Sequence, residues 1–379
     1  MHARLLLVAL IVTLAGTGIA LYTLWGASQS AQLPPEEPAA LHRIPLAVLG
    51  DSDSHAYHDT VSFPEGSPDR GGRYRSQTWQ WVEVLAQLRG QELDLGPWGT
   101  WGTRGSVARL HDLLGWGGRS PRKMDYRHNF AISGAVCQDL GPGHMAQRLV
   151  TLMSQAPEYW ARGVVVIRIG VNDVGTRAAL NEWAKDGPHP ALEARVADCV
   201  AQYRETVALI RQTHPGTRIM LVGLFNNSHW APLIQKWQDP AALARIQAAI
   251  DTFNQPLQAL AASDPHLSYF DDQAWFASHW GGRGPSGQPA YKVATIDGRW
   301  PTSNTQGDAP SHATVDDGHA GTVWNLLWSQ ALVHQLNQAF ALGLTELSDA
   351  ELAAFLTDHG IVSGLSPLSP ASAPSGPAR

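Results

Sequence analysis

Four short stretches carry residue types suited to nucleophilic chemistry at a carbonyl. Gly50-Asp51-Ser52 ends the apolar run IPLAVLG, Gly134 closes NFAISG, and Gly170-Val171-Asn172-Asp173 ends GVVVIRIG. Asp316-Asp317-Gly318-His319 stands before a long apolar-rich segment. A serine hydroxyl is a weak nucleophile and needs a base beside it. Ser52 is read as the nucleophile and His319 as the base. Asp316, one helical turn before His319, would hold the imidazole in the required tautomer and stabilise the imidazolium, with Asp317 as the competing orienter. The backbone N–H groups of Ser52 and Gly134 and the side-chain amide of Asn172 would meet the tetrahedral oxyanion, at about 3 kcal/mol for each such donor. Gly134 suits that place because a residue without Cβ lets backbone approach a ligand closely. Singly, these residues read as a turn serine, a helix-start histidine, a turn glycine and a helix cap. Together they point to acyl transfer.

Elements must bring these residues together. IPLAVLG (44–50), HNFAIS (128–133), GVVVIRIG (163–170), RIMLVGL (218–224) and HLSYFD (266–271) read as strands, short and apolar as in a sheet covered on both faces. Between them TWQWVEVLAQLRG (78–90), the segment after VCQDLGPG and the three- and four-residue steps from Leu192 to Ile210 and from Leu243 to Leu260 read as helices. Asp239-Pro240 supplies a cap and a first-turn proline, and Ser348 with Glu351 a capping box. A last long helix is expected from near His319 to about Leu342, after a polar stretch at 280–318. Alternating strands and helices predict one α/β domain with a parallel sheet between two helical layers, over 43–360. In the strand order 2-1-3-4-5, the strands that end at Ser52, Gly134 and Asn172 are neighbours, about 4.8 Å apart per step. Their ends would converge at the carboxyl edge of the sheet, where such folds bind ligands.

The four motifs, in order and spacing over about residues 44–342, resemble those of the SGNH/GDSL hydrolase family. The resemblance implies a flavodoxin-like three-layer α/β/α fold and a cofactor-free serine esterase. It assigns Ser52 as nucleophile, Gly134 and Asn172 as oxyanion donors, and Asp316 with His319 as the acid–base pair. Two features depart from the family pattern: Asp53-Ser54-His55 after GDS, where an apolar or small residue is usual, and the length of the 280–315 region. An envelope O-acyltransferase and a non-catalytic carbohydrate-binding protein on the same fold are the rival readings. The GxSxG, GxxxxGK[ST] and HExxH patterns do not occur.

The remaining features bound the substrate and the setting. A net charge of −6 without a basic block gives no footprint for nucleic acid. Asp53, His55, His58 and Asp59 are ordinary metal-ligand types, but a cluster after a strand more often caps or bonds locally, so no metal is expected. Asp53 is read as lining the substrate entrance. Asp51 is read as fixing the Ser52 turn through a local hydrogen bond. The chain has 15 tryptophans, enough for a Trp-heavy core or an aromatic groove. Trp79, Trp81, Trp98, Trp101 and Trp116 fall between the nucleophile and Gly134, with Trp98 and Trp101 as a candidate sugar-stacking platform. Arg168 and the arginines between 70 and 75 read as structural, with an anionic group as the alternative contact. Cys137 and Cys199 show no motif spacing, and no disulfide is expected. Leu5–Trp25 carries no charge and follows Arg4, which reads as a hydrophobic helix, a signal peptide or membrane anchor within 1–28. A linker at 29–42 and a Pro/Ser/Ala-rich, disordered tail at 361–379 complete the expectation. The product would be an exported protein of the periplasm or cell envelope, with no membrane contact beyond that helix, acting on a small or glycan-linked O-acyl ester.

Overall fold

The computed structural model describes residues 42–107, 119–141, 143–284 and 286–361. The chain divides into Met1–Arg43 and Ile44–Arg379, and the elements described all lie in the second unit. The expected N-terminal helix, Trp116 and nearly all of the expected tail lie outside the described residues. Among the described residues no helix is long and apolar enough to cross a membrane.

In chain order the elements are β1 Ile44–Gly50, α1 Trp81–Leu88, β2 Leu93–Asp94, β3 Trp98–Trp101, β4 Lys123–Tyr126, α2 Met145–Met153 and β5 Val164–Arg168. Then come α3 Arg177–Trp183, α4 Pro190–Thr213, β6 Arg218–Val222, α5 Pro240–Ala261, β7 Leu267–Phe270 and α6 Asp272–Trp280. Short strands β8 Gly281–Arg283, β9 Pro289–Tyr291, β10 Val293–Ala294, β11 Thr302–Gln306 and β12 His312–Thr314 precede α7 Thr322–Phe340 and α8 Asp349–Asp358.

The central sheet runs β2-β1-β5-β6-β7 with all pairs parallel, which is the expected 2-1-3-4-5 order. Side chains alternate between its faces because successive Cβ atoms on a strand point opposite ways. Ala47, Leu49, Val165, Ile167, Ile219 and Leu221 pack with Leu149 of α2, Tyr203 of α4 and Phe253 of α5. Leu46, Val48, Val164, Val166, Met220 and Val222 pack with Leu85 of α1, Phe276 of α6, Trp328 of α7 and Phe355 of α8. The fold is therefore a three-layer α/β/α sandwich. Trp81, Trp160, Trp280, Trp324 and Trp328 are fully buried, so much of the tryptophan surplus is core.

Local chemistry sets the helix starts. Gln80 and Glu83 cap each other at α1, Asp239 accepts from the N–H groups of Ala241 and Ala242 at α5, and Ser348 pairs with Glu351 at α8.

One expectation is corrected. HNFAIS is not a full strand. Position two of the sheet is filled first by Leu93–Asp94 against Ile44 and Pro45, then by 128–132 further along β1. There Phe130 N–H donates to Val48 O at 2.8 Å and Ile132 N–H to Gly50 O at 3.0 Å. Between the two pieces the chain leaves through the antiparallel β3–β4 ribbon. The 280–318 stretch also holds structure: a β8–β9 hairpin and a β10-β11-β12 sheet.

Candidate active site

Ser52 follows β1 in a tight turn. Asp51 Oδ1 accepts from Asp53 N–H at 2.9 Å, and Asp51 O accepts from the Ser54 and His55 N–H groups. The expected local bond of Asp51 is therefore formed. Burial pushes the Asp51 carboxyl well above its usual range, reinforced by the Asp53 charge and opposed by Arg168. Arg168 braces the turn from β5: its Nη1 donates to Asp53 O at 3.1 Å and its Nη2 to Asp272 Oδ2 at 3.3 Å. Its structural reading agrees with these contacts.

Gly134 lies in a turn closed by Ala135 N–H donating to Ile132 O at 3.0 Å, with φ of 80°. That left-handed conformation, rather than crowding, calls for glycine, because a Cβ there would meet nothing within 4 Å. Asn172 sits on a single π turn, Val171–Gly175, directly after β5, and such turns recur at functional sites. Its Nδ2 donates to Ala135 O at 2.9 Å, which brings it beside the Gly134 loop and leaves one amide hydrogen over. Among the described residues the Ser52 and Gly134 N–H groups donate to no protein acceptor.

Asp316, Asp317 and His319 stand on a reverse turn. Gly318 N–H donates to Val315 O at 2.9 Å with Gly318 φ at 83°, and Val315 N–H donates to His319 O at 2.8 Å. Asp317 Oδ1 lies 2.9 Å from His319 Nδ1. Asp316 is exposed, with its N–H held by Asp308 and its carbonyl by Gln306 of β11. The structure thus places Asp317, and not the expected Asp316, against His319 Nδ1. The physical reason is that α7 begins at Thr322, so the Asp316–His319 segment is a turn and helical spacing does not apply. Burial opposes ionisation of Asp317, yet the His319 contact and the Arg70 charge together hold its carboxyl far below the usual range.

Ser52, Asn172, Asp317 and His319 open onto one cavity of about 380 Å³, as do Asp53 and Arg168. Phe225, Trp230, Leu233 and Trp324 form its apolar wall, and Thr176, Arg177, Asn227 and Gln306 its polar one. Asp53 lines the cavity beside Ser52. Trp98 and Trp101 do not line the cavity. They lie on the β3–β4 ribbon, where Trp98 packs on Tyr126 and Trp101 Nε1 donates to Asp125 O at 2.9 Å. Among the described residues Ser52 Oγ and His319 Nε2 carry no hydrogen bond, and such bonds often tighten only around substrate.

The polar residues after Ser52 serve the loop. His55 Nε2 bonds Asp59 at 2.8 Å and its Nδ1 accepts from Ser133 N–H at 3.0 Å, while His58 bonds Glu83 at 3.0 Å. Burial and the nearby Lys123 charge lower the His55 pKa against the pull of Asp59. Behind them Lys123 Nζ meets Asp125 at 2.7 Å, and burial lowers that lysine to about 8. Cys137 and Cys199 are joined in a disulfide, against the expectation. It links the segment after Gly134 to α4, beside Asp173, whose Oδ2 accepts from Cys137 N–H at 2.9 Å. Two further residues escaped the sequence reading. Arg70 reaches Asp317 and His319, and its signal was only its place in the Arg70–Arg75 group. Trp230 lines the cavity and donates to Thr314 Oγ1 at 2.9 Å.

Residues 48–288 match the GDSL-like Lipase/Acylhydrolase family. No curated protein matches the chain. Among solved structures, an extracellular lipase from Streptomyces rimosus is 19% identical, with 67% of this chain and 90% of that one covered and a TM-score of 0.32. A family 3 carbohydrate esterase from Clostridium thermocellum is 14% identical, covering 79% and 98% with a TM-score of 0.32. The match extends from within β1 to the β8–β9 hairpin, and the chain belongs to the GDSL-like lipase/acylhydrolase family of ester-hydrolysing enzymes.

Proposed function

We propose that the enzyme cleaves an O-acyl ester with a short acyl chain through an acyl-enzyme on Ser52. The observation that carries this reading is the convergence of Ser52, Asn172 and His319 on one cavity, with Asp317 2.9 Å from the far nitrogen of the imidazole. His319 Nε2 takes the Ser52 proton as Oγ attacks the carbonyl carbon. Asp317 holds Nδ1–H and stabilises the imidazolium that forms. The carbonyl oxygen, now an oxyanion, is met by the N–H groups of Ser52 and Gly134 and by Asn172 Nδ2. His319 then protonates the leaving alkoxide, and a water activated by the same base hydrolyses the acyl-enzyme.

The cavity size and its aromatic wall favour a short acyl group, and the polar wall favours a hydroxyl-rich alcohol such as a glycan. That glycan component now rests on the polar wall and Trp230 instead of Trp98 and Trp101. Export is part of the proposal. It is supported by the uncharged Leu5–Trp25 run and by the Cys137–Cys199 disulfide, a bond at home in oxidising compartments.

The test is turnover of p-nitrophenyl esters of increasing chain length and of acetylated polysaccharides, with Ser52→Ala beside the parent protein. Rates that peak at the shortest esters and vanish in Ser52→Ala are expected. Full turnover in Ser52→Ala, with no labelling of Ser52 by a covalent serine probe, sinks the mechanism.

A further inference from the structure

Arg70 is 3% exposed and has φ of 57°, a left-handed conformation that residues other than glycine hold only under constraint. The constraint is visible around its side chain. Asp317 Oδ2 accepts twice from this one residue, from the backbone N–H at 2.8 Å and from Nη1 at 2.5 Å. Nη1 also lies 2.6 Å from His319 Nδ1, and Nη2 donates to Ser133 Oγ at 2.9 Å. The guanidinium carbon stands 4.5 Å from the Phe63 ring centre and 5.4 Å from that of Tyr57. Nothing in ordinary packing requires one buried cation to join the base, its orienter and the residue next to Gly134.

We propose that Arg70 is a positioning residue of the catalytic site, locking Asp317 against His319 and tying that pair to the oxyanion loop through Ser133. The proposal rests on the reading of Ser52, His319 and Asp317 as the catalytic groups. With Oδ2 held twice by Arg70, Oδ1 is the oxygen left to face His319 Nδ1. A planar fork can serve Asp317 and Ser133 together, and a lysine ammonium on a flexible stem cannot reproduce that geometry.

The test measures kcat and KM for the parent, Arg70→Met, Arg70→Lys, Ser52→Ala and Asp317→Ala, each checked for folding by circular dichroism and thermal melting. For Arg70→Met, kcat is expected to fall by about 30-fold or more with KM within about threefold, because positioning acts on the transition state. Arg70→Lys should recover only part of kcat. A kcat within about twofold of the parent in Arg70→Met overturns the proposal. If Arg70→Met does not fold, the lysine variant decides, and full kcat in it overturns the fork. Retained activity in Ser52→Ala or Asp317→Ala overturns the underlying site reading and the proposal with it, and those two variants report this independently of Arg70.

Discussion

The Asp317 carboxylate makes three contacts, two with Arg70 and one with His319, while its neighbour Asp316 faces solvent. Replacing each therefore separates two adjacent aspartates. Asp317→Ala should lower kcat by about 10³- to 10⁴-fold, the scale seen when a triad carboxylate is lost, and Asp316→Ala by less than about threefold. Steady-state rates on a p-nitrophenyl ester measure both. The same carboxylate bears on acid stability. Its folded pKa lies below the unfolded value of about 3.9, so its contribution is present above that value and is lost as pH falls through the folded pKa. Asp59 has the same sign, because bonds from His55, Ser62 and Met124 outweigh its burial. Melting temperature below about pH 4 should consequently fall less steeply in Asp317→Asn than in the parent. At this scale the meeting of Ser52, Asn172 and His319 at one cavity was legible because each sits at a motif that ends or precedes a regular element. Which aspartate meets His319 was not, because DDGH offers two carboxylates and only the turn geometry chooses between them. Arg70 was hidden for a related reason: a lone arginine in a glycine-rich loop carries no spacing signal.

Elements carry the site through few anchors, and two of them can be cut. The Cys137–Cys199 bond closes a span of 62 residues between the segment after Gly134 and α4. Chain entropy alone gives a bond over such a span about 4 kcal/mol, with measured values commonly nearer 2–4. Cys137→Ala/Cys199→Ala should lose stability in that range by denaturant melting, and should lose kcat more than KM if the loop shifts. No spacing rule could have announced this pair, since two isolated cysteines do not specify partners. The second anchor is the β4 residue Lys123, buried against Asp125 and donating also to Ala131 O. Lys123→Met would leave Asp125 charged and buried and should cost about 3–5 kcal/mol, read from the same melts. The β10-β11-β12 sheet escaped sequence reading because its strands are only two to five residues long, yet Gln306 and Thr314 from it hold the Asp316 turn and Trp230. The extra length of the 280–315 region is thus the support of the histidine turn.

Across the whole molecule, the sheet order and the two helical layers were readable because every central strand is apolar on both sides, which only a sandwich can bury. The same bookkeeping shows what the second layer needs at its end. Leu352, Phe355 and Leu356 of α8 complete the core that faces α1 and α7, and Arg89 binds Glu351 and the carbonyls of Thr345 and Glu346. A chain stopped after Phe340 should be recovered insoluble or molten by circular dichroism. The divided second strand has a consequence for life at high concentration. A long bare strand margin invites another copy to pair with it. Here one margin is broken by the departing β3–β4 ribbon, and the other is a strand of four residues, Leu267–Phe270. Among the described residues neither side offers a ladder long enough to template a growing stack, so resistance to strand-by-strand polymerisation is built into the same interruption that carries the chain on to Gly134.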